Sequence, residues 1–156
     1  MKRKKTIVFV ITLLLSSFIF SGCFSDRLYS FEKISNFVID NKENLDNLIN
    51  DYKGFNKYVS FDYEKYLGSR TIVKDAYSYT PEIIRFSCGG TGLVSDSKYC
   101  GFYYSENDMS YGMEFNESPQ TSEEDGYVIY HNDDGISYVK TKRICSCWFY
   151  YYMEWH

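Results

Sequence analysis

Apolar positions recur along this chain in three rhythms, and each predicts a different element. Between residues 31 and 53, Phe31, Ile34, Phe37, Val38, Leu45, Leu48, Ile49 and Tyr52 fall near a 3.6-residue spacing. Glu32, Lys33, Asn36, Asp40, Lys42, Glu43, Asp46 and Asn47 occupy the opposite side, so the segment predicts one long amphipathic helix, bent near Asn41. Ser30 is placed to cap its start and Gly54 to stop it. From residue 57 onward the spacing shortens to two. Val59, Phe61 and Tyr63 alternate with Tyr58, Ser60 and Asp62, which predicts a strand over 57–63.

The clearest strand pair is 82–88 with 99–105. If Cys88 faces Cys100 in an antiparallel ladder, Phe86 faces Phe102 and Ile84 faces Tyr104, all inward, while Arg85 meets Tyr103 outside. A slip of one residue would scramble that agreement. Asp134-Gly135 joins 126–132 to 136–141 as a hairpin. Residues 144–155 close the chain as a strand, and 105–125, rich in Asn, Glu and Ser, predicts a mobile loop. The expected fold is α+β: a long N-terminal helix packed on an antiparallel sheet of about five or six strands.

The third rhythm is an apolar stretch over residues 6–20, broken by Thr12, Ser16 and Ser17 and preceded by Lys2, Arg3, Lys4 and Lys5. A membrane-spanning helix needs ~20 apolar residues and a secretory signal only ~7–15, so this run has the length of a signal. It ends in Phe20-Ser21-Gly22-Cys23, with small residues just before a cysteine. The layout resembles the bacterial prolipoprotein signal, with Phe20 where that pattern prefers Leu. The resemblance implies diacylglyceryl attachment to Cys23 and cleavage before it. The expected organisation is a signal peptide over 1–22, a lipidated cysteine and tether over 23–30, and one domain over 31–156.

Removing residues 1–22 takes away four of the 17 Lys+Arg and none of the 21 Asp+Glu, which leaves 13 against 21 and a formal charge of −8. Such a polyanion gains nothing from phosphate contacts, so nucleic acid is excluded as an expected partner. Membrane attachment then falls to the lipid, two acyl chains being enough for stable anchoring.

Further resemblance lies in three runs: Ile83-Ile84-Arg85-Phe86-Ser87-Cys88-Gly89-Gly90-Thr91-Gly92, Gly101-Phe102-Tyr103-Tyr104-Ser105 and Trp148-Phe149-Tyr150-Tyr151-Tyr152. On these the chain is similar to a group of small lipoproteins of Gram-positive, gut-type bacteria. That similarity implies fold and a location at the outer face of the cell membrane, and nothing further.

Candidate chemistry is sparse. Cys88 and Cys100 are a candidate disulfide by the register above, the other reading being two buried thiols. Cys145 and Cys147, on one face of the terminal strand, read as core, and a four-cysteine zinc site is disfavoured by Cys-x-Cys spacing. The only histidines are His131, beside a turn, and His156, the last residue. Gly89-Gly90-Thr91-Gly92 lacks the Lys of a phosphate loop, and no nucleophile or cofactor motif is present. Glu123, Glu124, Asp125, Asp133 and Asp134 read as solvated turn acids, with paired-carboxylate hydrolysis the weaker alternative.

The terminal strand stands out. Trp148, Tyr150 and Tyr152 share one face, and Phe149, Tyr151, Met153 and Trp155 share the other. A strand aromatic on both sides is either central and covered, or it offers Trp148, Tyr150 and Tyr152 to a glycan or peptide. The functional expectation is a non-enzymatic, lipid-anchored module, without cofactor, facing an envelope or extracellular protein or glycan.

Overall fold

The computed structural model describes residues 27–53, 59–92, 96–112, 120–132 and 137–156. Cys23 and the expected signal peptide lie outside them, as do Gly54 and the Asp134-Gly135 turn. The predicted long helix is two: α1 (Phe31–Asp40) and α2 (Lys42–Tyr52). Ser30 caps α1, its hydroxyl oxygen accepting from the Lys33 N–H. Asn41 ends it. Its side-chain amide donates to the Phe37 carbonyl at 2.9 Å and its own backbone leaves the helical region (φ −109°), a short polar side chain competing with the helix for backbone partners. A single turn, α3 (Glu64–Leu67), completes the helices described.

The expected sheet of five or six strands is corrected to seven, all antiparallel: β1 (Asp75–Thr80), β2 (Ile83–Thr91), β3 (Ser97–Ser105), β4 (Gln120–Glu124), β5 (Tyr127–His131), β6 (Tyr138–Cys145) and β7 (Trp148–Trp155). The molecule is thus mainly one large sheet carrying three short helices, not a long helix on a small sheet. The spatial order is β1-β2-β3-β7-β6-β5-β4. Two meanders, β1–β3 and β4–β7, meet where β7 returns beside β3.

Two strands escaped the hydrophobic pattern. β1 is Asp-Ala-Tyr-Ser-Tyr-Thr, and small Ala76 and Ser78 pack on the Phe86 face while Tyr79 is buried on the other. β4 is wholly polar, with residues 121–124 exposed, as suits an edge that must not recruit another strand. It falls inside the stretch expected to be loop. Conversely, the strand expected over 57–63 reduces, within 59–63, to a fragment on the free edge of β1. Phe61 N–H donates to the Ala76 carbonyl at 2.9 Å and Ser78 N–H to the Val59 carbonyl at 3.0 Å. The terminal strand is also shorter than expected, because Ser146 and Cys147 form a turn between β6 and β7.

The β2–β3 register follows the expected pairs Ile84–Tyr104, Arg85–Tyr103 and Phe86–Phe102, then shifts at a bulge between Ser87 and Gly89. At Gly101 a Cβ would overlap the Phe86 carbonyl oxygen and press on the Tyr151 ring, so only glycine lets these three strands close up.

Both faces of the central strands are buried. On one, α1 and α2 cover Phe86, Phe102, Trp148 and Tyr150 with Ile34, Val38, Leu45 and Leu48. Phe86 stacks on Phe102 at 4.7 Å between centroids, and Trp148 packs against both. The other face holds Tyr103, Val139, Phe149, Tyr151 and Met153. Arg85 and Tyr103, expected outside, are 5% and 0% exposed. The Arg85 guanidinium lies 4.6 Å from the Tyr151 ring and its Nε–H donates to the Tyr151 hydroxyl at 3.1 Å. The segment after β3 crosses this face: Tyr111 N–H donates to the Tyr103 hydroxyl at 2.9 Å, and a Cβ at Gly112 would press on the Tyr130 ring.

Candidate functional site

β7 is hydrogen-bonded on both sides, to β3 and β6, and this decides the fate of its aromatic residues. Trp148 is 0% exposed and Tyr150 4%, both beneath the helices. Trp148 donates its indole N–H to Asp46 on α2 at 3.3 Å. The covered-strand expectation describes these two, and Trp148, Tyr150 and Tyr152 do not form an exposed row. Tyr152 differs. Past the start of α1, no helix among the described residues covers the same sheet face, and Tyr152 is half-buried there with Tyr127, Ile129, His131, Tyr138, Lys140 and Lys142.

This half-open face is built by alternation. Lys140 pairs with Tyr152 and with Ile129, and Lys142 pairs with Tyr150, so side chains of β5, β6 and β7 stand on one side of the sheet. Lys140 Nζ lies 4.8 Å from the Tyr152 ring centre and 5.4 Å from that of Tyr127. Lys142 Nζ lies 4.7 Å from Tyr127 and 5.0 Å from Phe31, and donates to the Asp125 carbonyl at 3.0 Å. Lysine over an aromatic face is held weakly, by about 0.5–1 kcal/mol at an exposed position. The lysines therefore sit against the rings without being locked there.

Glu154 borders this face. It is 8% exposed and receives Lys98 Nζ at 2.8 Å, Tyr152 Oη at 2.8 Å and Tyr138 Oη at 2.9 Å, with His156 Nε2 at 3.3 Å. The hydrogen bond from Lys98, and those from the two hydroxyls, pull its carboxyl down to about 2 against the cost of burial. Burial and the adjacent carboxylate push Tyr138 up to about 12 and raise Tyr152 further. Both hydroxyls stay protonated donors and are held in place.

The cysteines form two groups. Cys88 and Cys100 are thiols in the structure and completely buried. The bulge alters the expected opposition: Cys100 pairs with Gly89, and Cys88 is the extra residue. Burial pushes the Cys88 thiol well up and raises Cys100 too, where the Tyr29 N–H pulls the other way by donating to the sulfur at 3.1 Å. That bond belongs to a docked strap. The Arg27 carbonyl packs on Gly89, where a side chain would collide with it. The expected tether over 23–30 is thus docked from Arg27 onward.

Cys145 ends β6 and Cys147 lies in the turn with φ 64°, so they do not share a strand face. Asp108 holds this turn. Its carboxylate accepts from the Cys147 N–H at 2.6 Å and from Arg143, and these two bonds lower its pKa. Beside the turn is a cleft of about 320 Å³ lined by Lys42, Asp46, Tyr104, Cys147 and Trp148 among others. Lys42 and Asp46 bond each other along α2 on one wall of it at 2.7 Å. The cleft holds a saturated ion pair and a single carboxylate among its lining residues, which does not make the acid pair of a glycoside hydrolase.

The remaining expectations are dispersed. His131 packs near Tyr138 at 6.2 Å, and His156 reaches Asp96 and Glu154. Glu123, Glu124 and Asp125 are exposed at the β4–β5 turn, and Asp133 and Asp134 lie outside the described residues. Among the described residues no three His, Cys, Asp or Glu side chains gather as metal ligands. No helix among them is long and apolar enough to cross a membrane. Sequence reasoning missed Lys140 and Lys142 as site residues. The signal available was two lysines spaced by two in a strand whose neighbours Tyr138 and Ile144 share their parity.

The architecture is an antiparallel β-sheet layered with short helices, its open aromatic–lysine corner lying past the helical cover. The chain matches no family model, no curated protein and no solved structure.

Proposed function

We propose that this chain is an exported lipoprotein, anchored through Cys23 at the outer face of the cell membrane, whose domain is a non-enzymatic interaction module for an envelope or extracellular partner. One observation carries the anchor: the basic start, the 6–20 apolar run and Ser21-Gly22 all converge on Cys23. The docked strap supports a close attachment. From Cys23 to Arg27 the chain reaches at most roughly 14 Å, so the domain would ride against the bilayer surface. Metabolic labelling with an alkynyl fatty acid tests it. The full chain should take up label and fractionate with membranes, and Cys23→Ala should do neither. Labelling that persists in Cys23→Ala refutes the cysteine anchor.

A second reading is favoured by a specific observation. Glycan or peptide recognition by an aromatic face fits half-open Tyr127, Tyr138 and Tyr152, the last two with hydroxyls fixed by Glu154, better than it fits buried Trp148 and Tyr150.

A further inference from the structure

We infer that the half-open face of β5, β6 and β7 binds an anionic saccharide, with Lys140 and Lys142 taking a carboxylate or phosphate and Tyr127 and Tyr152 taking the apolar side of the sugar ring. The inference rests on the reading of the chain as an interaction module and narrows that module's ligand. It starts from a contrast among the lysines. Four of those described are partly buried: Lys42, Lys98, Lys140 and Lys142. Lys42 is paired with Asp46 at 2.7 Å and Lys98 with Glu154 at 2.8 Å. Among the described residues, Lys140 and Lys142 have no carboxylate and lie against aromatic rings instead.

This is unexpected in a chain with 21 acidic residues. A partly buried ammonium gives up hydration, and a carboxylate on β5 or β7 could have compensated it. Tyr127, Ile129, Tyr150 and Tyr152 stand there, so among the described residues neither ammonium meets a carboxylate, and Lys142 donates to the main-chain carbonyl of Asp125. A hydrogen bond from lysine to an ionised oxygen is stronger than the cation–π contact it would displace. Two residues apart on one strand face, the ammonium groups spring from points about 7 Å apart, a spacing that lets two oxygens of one ligand be held at once. The nearby acid, Glu154, is already saturated by Lys98, Tyr138 and Tyr152 and directs no lone charge at the ligand. Glu124, across the ladder from Tyr127, and Asp125 after it are exposed acids at the rim of this face, and Lys142 meets Asp125 through its main-chain carbonyl.

The saccharide part follows from the rings. Tyr127 and Tyr152 flank Lys140 and are the half-buried walls of the site, offering apolar faces with polar edges. Two lysines on a strongly acidic chain would not hold a polynucleotide.

Calorimetric titration of the full chain in detergent tests the assignment, using a galacturonate hexamer, a hexose-phosphate oligomer and an uncharged galactose hexamer. A charged oligomer should bind about tenfold or more tightly than the neutral one, and the better of the two identifies carboxylate or phosphate. Lys140→Gln and Lys142→Gln should each weaken it several-fold, about tenfold at most. Lys140→Arg should retain it, and exposed Lys74→Gln should leave it unchanged. Raising salt from about 0.05 to about 0.5 M should weaken the charged oligomer alone, a readout independent of any variant's folding. Equal, salt-insensitive binding of neutral and charged oligomers overturns the anion assignment and leaves a neutral glycan module standing. No binding of any oligomer by a chain that still labels at Cys23 overturns the site while sparing the anchor.

Discussion

Trp148 shows how one side chain ties the two layers together. It packs on Phe86, Phe102 and Tyr104 with ring centroids at 5.9, 5.8 and 5.4 Å, and its N–H reaches Asp46 on α2. Truncation leaves a large cavity and removes the Asp46 contact, so Trp148→Ala should cost about 3–5 kcal/mol. Chemical denaturation measures this, and a loss under about 1 kcal/mol would show that the residue is not core. The sequence pattern placed Trp148 and Tyr150 on one face correctly but could not say how far the helices extend. Whether Tyr152 is covered depends on where α1 begins over the sheet, which no local rhythm encodes. The bulge at Cys88 was equally hidden, since a bulge adds one residue without changing the apolar alternation on either side of it.

At the scale of elements, the legible strands were those rich in large apolar and aromatic residues. β2 and β3 emerged because burial on both faces filled them with such side chains, and the β5–β6 hairpin through its Asp134-Gly135 signal. β1 and β4 did not, as one packs with Ala76 and Ser78 and the other is an exposed polar edge. The split between α1 and α2 was visible only as a bend at Asn41. The β6–β7 turn was read as continuous strand because Cys147 carries no turn signature, yet it adopts φ 64°, a region that glycine enters freely and other residues enter at a cost. The Asp108 carboxylate binding its N–H compensates that cost. Cys147→Gly keeps the N–H and relieves the backbone, and should stabilise the domain by about 0.5–1 kcal/mol. A raised melting temperature checks it, while a fall would mean the thiol packs usefully beside the cleft.

For the whole molecule, the weak point of the topology is the seam where β7 joins two meanders that are otherwise separate in sequence. Glu154 sits on that seam. Its neighbours across the ladder are Lys98 on β3 and Tyr138 on β6, and both bond its carboxylate. Its folded pKa of about 2 lies below the ordinary 4.5, chiefly through Lys98. A carboxyl depressed by folding adds stability that is complete above its unfolded pKa and is lost as pH falls through the folded one. The contribution should therefore be present at pH 7, begin to fade below about pH 5 and be gone near pH 2. Its size is about 2 kcal/mol, after allowing for screening at half-exposed Lys98. Urea unfolding of the natural chain and of Glu154→Gln at several pH values isolates it from the other acids. Glu154→Gln should be the less stable at pH 7, and the gap should close as pH falls toward 2.5. A gap that stays constant with pH would mean that Glu154 holds the seam by shape and hydrogen bonding, with its charge irrelevant.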